Sequence, residues 1–350
     1  MSTATASPIY SLQMLVNNTL TIFTNNGTGR FGSNTTLNVV TSPSSVLAVD
    51  TNRKGKLDLI CANGGPYPSY DNRVTVWTNS GSGRFGSNTT LTVGSYPVCL
   101  AAADVNGDGK PDVICANSQD DPLTVLTKNG CGSFGFNATI TVGYHPVSVL
   151  TADVNGDSNP DLISVNLGGN TLTVLTNNGT RSFAFSAALS VGRFLFSGVA
   201  IDISGKGKPD FVSANNLDGT LTVFTNNGSG SFGYNATLTV GTFPYCLSAV
   251  DVDGDGKPDL ICSNCGDNTL TILTNNGSEG FGSNIAPKVG NGPMSTVAAD
   301  VNGDGRLDFV SGDNYGSTLT VLMNTTVFAP PTFVPPLMVS FRNNRICVAW

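Results

Sequence analysis

A nine-residue acidic loop returns six times along this chain, and its spacing limits the fold more than any other feature. The fullest copies read Asp104-Val-Asn106-Gly-Asp108-Gly-Lys110-Pro-Asp112 and Asp251-Val-Asp253-Gly-Asp255-Gly-Lys257-Pro-Asp259. Related loops begin at Asp50, Asp153, Asp202 and Asp300. From Asp104 onward the starts fall 49 residues apart, and the first interval is 54. A fixed period of this size means that one supersecondary unit is copied along the chain, as a stack or a ring. Oxygen side chains at alternate positions of a tight loop converge on one point, which suits a hard divalent cation.

One period divides into four strands. In residues 146–191 these are predicted at Val147–Ala152, Leu162–Val165, Thr171–Thr176 and Phe183–Val191, with Asn177-Asn178-Gly179 supplying the positive φ of a hairpin turn. Four short antiparallel strands per repeat make one propeller blade. The third-strand pattern recurs at Leu20, Val74, Leu123, Leu172, Leu221, Leu270 and Leu319. Seven third strands predict an all-β, seven-bladed β-propeller of four-stranded antiparallel blades. The alternative is six-bladed, with an N-terminal strand completing the last blade. The propeller is assigned to 1–326, a Pro-rich linker to 327–336, and the truncated start of a following domain, or a tail, to 337–350.

Charge is local. Net charge is −7, and 17 of the 24 acidic residues lie in the six loops. No basic stripe interleaved with aromatics is present, so nucleic acid is not an expected partner. No apolar run reaches the ~18 residues of a membrane span. The N-terminus lacks the basic and apolar regions of a signal peptide. One histidine, His145, and one glutamate, Glu279, occur in the chain, leaving little for His-based or paired-carboxylate catalysis. The expectation is that the chain is not an enzyme.

The loop, the turn Asn226-Asn-Gly-Ser-Gly-Ser-Phe-Gly233 and the phase between them resemble the FG-GAP/VCBS repeats of surface proteins, which are related to the integrin α-subunit propeller. The resemblance spans about residues 9–326 and implies a calcium-binding, exported propeller, often used for adhesion. It implies ligands at loop positions 1, 3, 5 and 9 through side chains and at position 7 through the carbonyl. Four loops carry the set: Asp104, Asn106, Asp108, Lys110 and Asp112; Asp153, Asn155, Asp157, Asn159 and Asp161; Asp251, Asp253, Asp255, Lys257 and Asp259; Asp300, Asn302, Asp304, Arg306 and Asp308. About four Ca2+ sites are expected, neutralising carboxylates that otherwise repel. The loops at Asp50 and Asp202 have Lys54 and Lys206 at position 5; they are expected to be metal-free, with those lysines paired to loop acids.

The linkers between blades carry Tyr96, His145, Phe194 and Phe243 at matching positions, and the long insertion after Gly64 adds Tyr67 and Tyr70. Rings beside Asn and Asp suit a sugar; the other reading is wedges packed between blades, and for Phe194 and Phe243 the wedge is the favoured expectation. Cys99/Cys115 and Cys246/Cys262 are either cross-strand disulfides or small buried thiols. The functional expectation is an extracellular or cell-surface module binding a carbohydrate or protein ligand, lectin-like, as a monomer or part of a larger chain. The alternatives are a structural spacer of a surface protein and a propeller-type polysaccharide lyase or phosphodiesterase.

Overall fold

The computed structural model describes residues 9–324, apart from 15–17, 26–30, 40, 66–69, 82–83, 129–132, 181 and 278–279. The linker and tail at 327–350 lie outside the described residues. All regular structure among the described residues is antiparallel β, and no helix there is long and apolar enough to cross a membrane.

Six units begin with an inner strand followed by an acidic loop. Blade 1 is Pro43–Val49, Asp58–Asn63, Arg73–Gly81 and Arg84–Thr92. Blade 2 is Pro97–Ala103, Asp112–Asn117, Pro122–Lys128 and Phe134–Thr141. Blade 3 is Pro146–Ala152, Asp161–Asn166, Thr171–Asn177 and Phe183–Ser190. Blade 4 is Leu195–Ile201, Asp210–Asn215, Thr220–Asn226 and Phe232–Thr239. Blade 5 is Pro244–Val250, Asp259–Asn264, Thr269–Asn275 and Phe281–Ile285. Blade 6 is Pro293–Ala299, Asp308–Asp313 and Thr318–Leu322. The first strands of successive blades touch one another, which places them innermost.

The seven-bladed expectation is corrected to six blades. Ile9–Met14, Thr19–Asn25 and Phe31–Asn38 form a separate three-stranded sheet with neither an inner strand nor an acidic loop. That sheet packs Leu20, Ile22 and Val39 onto Leu59 and Trp77 of blade 1. Counting third strands misled because this sheet carries a third strand and its hairpin to a fourth, paired as in a blade, without the first strand that a blade puts innermost. It also leaves blade 6 with three strands among the described residues, instead of lending it a fourth.

The core lies between blades. Ile114, Leu123 and Val125 of blade 2 meet Val149, Leu162 and Leu175 of blade 3, and the same packing recurs between blades 4 and 5. Every second strand is buried along its whole length, because both of its faces meet other strands. Its last residue is a buried Asn in five blades, whose amide donates to the third-strand Thr, as from Asn166 to Thr173 at 3.0 Å. A glycine in the preceding linker makes room for that amide. A Cβ on Gly143 would fall 2.6 Å from Asn166 Nδ2.

Adjacent blades are also joined by a repeated clasp. Asn177, Asn226 and Asn275, each ending a third strand, donate to the carbonyls of Val105, Val154 and Ile203 in the preceding blade's loop at 2.8–3.0 Å. Blade 2 uses Lys128 instead. Its ammonium donates to Thr51 O and lies 5.2 Å from the Phe134 ring centroid. Burial pulls the Lys128 pKa down, against the attraction of Asp58 and Asp50.

The six cysteines among the described residues are free, not bridged. Cys99 is registered with Ala116, and Cys115 with Leu100. Neighbouring positions on a strand point to opposite faces, so the two thiols cannot meet. Cys246 and Cys262 have the same offset.

Candidate functional site

Each acidic loop is organised by its first aspartate. In all six loops that carboxylate accepts the N–H of position 5 through Oδ1 at 3.0–3.1 Å and the N–H of position 6 through Oδ2 at 2.5–2.9 Å. The bonds to Lys54 and Lys206 are the same as those to Asp108 or Asp255, so the turn forms whatever side chain stands at position 5. Where that residue is Asp, its Oδ1 accepts the N–H of position 7, from Lys110, Asn159, Lys257 or Arg306, at 2.8–3.0 Å.

The ninth residue does something the motif alone does not show. Asp58, Asp112, Asp161, Asp210, Asp259 and Asp308 are all fully buried. One oxygen of each accepts the N–H of position 2, and the other accepts an N–H at the end of the third strand. For Asp161 these donors are Val154 at 2.8 Å and Asn177 at 2.7 Å; for Asp210 they are Ile203 at 3.1 Å and Asn226 at 2.8 Å. The residue therefore pins loop to sheet in metal-type and lysine-bearing loops alike. Lys54 is not paired to loop acids as expected. Asp58 is filled by Thr51, Asn52 and Asn79, and among the described residues Lys54 forms no ion pair.

The residues fit a divalent cation best in blade 5. Oxygens of Asp251, Asp253 and Asp259 lie within 4.8 Å of one another, the one such group among the described residues. Asp255 stands beside them, paired to Lys257 at 2.6 Å. In the loops of blades 3 and 6 the third residue turns its amide nitrogen toward position 5, Asn155 to Asp157 and Asn302 to Asp304, each at 3.1 Å. These amides must rotate before their oxygens can serve an ion. Burial, then repulsion from Asp108 and Asp104, pushes the Asp112 pKa up to about 6. Asp259 is pushed up to about 6 by burial, with Asp253 and Asp251 adding to it. Asp161 and Asp308 are raised for the same reasons.

The interblade linkers lie at the other end of the inner strands, roughly 20 Å away for seven extended residues. Tyr96, His145, Phe194 and Phe243 there have φ of 52–58°, and Gly292 fills the same slot before blade 6. A bulky residue rarely adopts this conformation, and here it is fixed from both sides. His145 N donates to Asp121 Oδ1 at 2.8 Å, and His145 O accepts from Leu167 N at 2.9 Å, bridging blades 2 and 3.

The predicted ligand residues divide. Tyr96 is buried against Tyr70, with ring centroids 4.5 Å apart, which is core packing. Tyr67 lies outside the described residues. His145 is half-buried, edge-on to Tyr144. Phe194 and Phe243 are 47% and 49% exposed, and so are not wedges. At this end of the blades two exposed rings were missed in the sequence, Tyr144 and Tyr315. Tyr144 lies over Gly168 and Tyr315 over Gly292, so an exposed ring stands at four consecutive junctions, from blades 2/3 to blades 5/6. The acids around them hold linkers. Asp218 accepts from Arg193 N and Arg193 Nε, and Asp267 from Thr242. Hydrogen bonds from Arg193 and Thr242 keep both pKa values low.

The FG-GAP-like repeat pattern matches residues 50–115, 104–164, 153–212, 202–262 and 251–311, together three quarters of the chain. The chain belongs to the FG-GAP-like repeat family. No curated protein matches it. Solved structures share the fold of this FG-GAP propeller at low identity. A periplasmic gluconolactonase of Pseudomonas aeruginosa is 15% identical with a TM-score of 0.66, over 98% of this chain and 99% of that one. A candidate 6-phosphogluconolactonase of Bacteroides fragilis is 16% identical with a TM-score of 0.69, over 92% of each. BBS1N, solved in complex with ARL6DN, is 10% identical with a TM-score of 0.62, over 93% and 94%. The expectation that the FG-GAP propeller is no enzyme is corrected here: the same architecture occurs in proteins named for lactone hydrolysis, so scarcity of His and Glu does not exclude turnover.

Proposed function

We propose that this FG-GAP propeller is a calcium-stabilised recognition module, whose crown of exposed rings binds a carbohydrate outside the cell. The observation that carries the reading is the run Tyr144, Phe194, Phe243 and Tyr315, between 47% and 65% exposed at four successive junctions. Sugar recognition combines a flat apolar ring with directional polar groups, and Asn170, Asp218 and Asp267 stand in the same linkers and hairpins. The acidic loops on the far end take calcium, which removes carboxylate repulsion and stabilises the folded chain by mass action. Exposed four- or five-ligand loops suit the ~10⁻⁴–10⁻³ M affinities of extracellular calcium modules.

The test is a glycan array probed with wild type and with Phe194→Ala/Phe243→Ala, each with calcium and with EDTA. Binding lost in the double variant at an unchanged melting temperature supports the reading. Binding to no glycan, or equal binding by both proteins, sinks it. The lactonase neighbours supply the second assay. Calcium-dependent release of acid from gluconolactone, abolished by the same double variant, would move the crown from recognition to hydrolysis.

A further inference from the structure

The outer hairpins of blades 3 and 4 each carry two consecutive asparagines, and the fold gives the two opposite surroundings. Asn177 and Asn226 are the buried clasp residues. Asn178 and Asn227, one position later, are exposed at the tip of the turn. They open the triplets Asn178-Gly179-Thr180 and Asn227-Gly228-Ser229, and both side chains are held alike. Asn178 Oδ1 accepts from Thr180 N at 3.0 Å and from Thr180 Oγ1 at 2.6 Å. Asn227 Oδ1 accepts from Ser229 N at 3.0 Å and from Ser229 Oγ at 2.8 Å. A backbone N–H can only donate, so the atom facing it is the amide oxygen. The amide nitrogen is left on the far side of an exposed side chain, and among the described residues it makes no hydrogen bond. The same type of triplet on a strand is different. Asn235-Ala236-Thr237 lies in the fourth strand of blade 4, where Asn235 is the bulge residue between Tyr234 and Ala236. Its amide nitrogen is buried and unpaired.

We propose that Asn178 and Asn227 are attachment sites for N-linked oligosaccharide, and that Asn235 is not. Asn-x-Ser/Thr is the acceptor sequence for that transfer, and a modified asparagine must stand at the surface. The donor class is a polyprenyl-diphosphate-linked oligosaccharide. Nδ2 of the asparagine bonds to the anomeric carbon, and the bond from that carbon to the diphosphate oxygen breaks. The diphosphate leaves with the electron pair, and the amide proton passes to a base of the transferring enzyme. Transfer precedes folding, so the fold decides which products it can hold. A sugar on Nδ2 of Asn178 or Asn227 grows into solvent and leaves both bonds to Oδ1 in place. On Asn235 it would have to occupy space that is already close-packed. Both hairpins lead into outermost strands, Phe183–Ser190 and Phe232–Thr239, which expose Phe185 and Tyr234. An uncovered edge with apolar rings invites pairing with another chain, and a hydrated glycan at its head obstructs that approach. The proposal rests on the chain being exported, and not on the crown as a sugar site.

The test supplies export from outside: the whole chain is placed behind a cleavable secretion signal in a mammalian cell line, and the secreted protein is analysed by peptide mass spectrometry. Glycans are released enzymatically in heavy-oxygen water, which marks each occupied asparagine and separates it from spontaneous deamidation at Asn-Gly. The mark is expected at Asn178 and Asn227 and not at Asn235. Asn178→Gln and Thr180→Ala should each abolish the glycan of the blade 3 hairpin alone, and Asn227→Gln that of the blade 4 hairpin alone. Where little protein is secreted, translation into microsomes reads Asn178 and Asn227 directly. Absence of glycan from either hairpin, or a secreted protein marked as fully at Asn235 as at the hairpins, overturns the proposal. Neither result bears on the glycan array, and failure of the array leaves the attachment sites standing.

Discussion

Replacing Asp210 by Asn isolates the pinning role of the ninth loop residue from any role in metal binding. Asp210 belongs to a loop with Lys206 at position 5, yet it is fully buried and accepts from Ile203 N at 3.1 Å, Ser204 N at 2.9 Å and Asn226 N at 2.8 Å. An asparagine keeps one acceptor oxygen and brings an NH2 group. Turned toward Ile203 and Ser204, it loses the bond from Asn226 and sets two donors face to face. One charge-assisted bond lost and one buried N–H left unpaired are worth about 2 kcal/mol each, so the variant should lose about 4 kcal/mol. With a urea slope of about 3 kcal/mol/M the midpoint falls by more than 1 M. The loss should be the same in EDTA and in calcium. The contrast is Asp255→Asn, at an exposed position, which in EDTA should cost under about 1 kcal/mol. A loss below about 1 kcal/mol for Asp210→Asn, or one seen only with calcium, would refute the pin.

Three further outcomes are expected. In EDTA, the buried carboxyls of Asp112 and Asp259 hold protons more tightly folded than unfolded, with pKa values of about 6 against the 3.8 of an ordinary aspartate. Their contribution is therefore full below pH 4 and lost as pH rises through 6, at most about 3 kcal/mol each; a urea midpoint in EDTA that climbs between pH 4.5 and 7 contradicts this, and calcium should flatten the fall. Lys206→Asp completes a fifth acidic loop, and equilibrium dialysis should count one more bound calcium than in wild type. A thiol reagent should leave Cys61, Cys99, Cys115, Cys246, Cys262 and Cys265 unmodified until urea is added, and a reductant should not lower the melting temperature; rapid native labelling at these positions would show that the interblade seams open.

The blade was legible because period and alternation report backbone geometry directly. The 49-residue spacing, the Asn-Gly turns and the T-L-T pattern place each hairpin. Blade number was not legible, because Leu20 lies in a third strand whose sheet has no inner member. The loop read true as a turn around Asp104 or Asp251, but Asp112 and Asp259 are hydrogen-bonded across to residues 16 positions later, which spacing within the loop cannot reveal. Position 5 decided less than its charge suggested: Lys54 leaves the turn unchanged, since the first aspartate gathers backbone N–H groups. On the opposite end, Tyr96 and Phe194 share a register position yet differ in exposure, because Tyr70, from an insertion found in blade 1 alone, covers Tyr96.

The clasps give the ring interchangeable seams. Asn177, Asn226 and Asn275 close their junctions with the same neutral amide, so a whole 49-residue unit could be gained or lost there and the new neighbours would still match. Lys128 closes the junction of blades 1 and 2 with a charge. The loops before the other junctions hold the same first and ninth aspartates, and the blades after them open their fourth strand with the same ring, Phe183, Phe232 or Phe281, so amide and ammonium are alternative bolts for one socket.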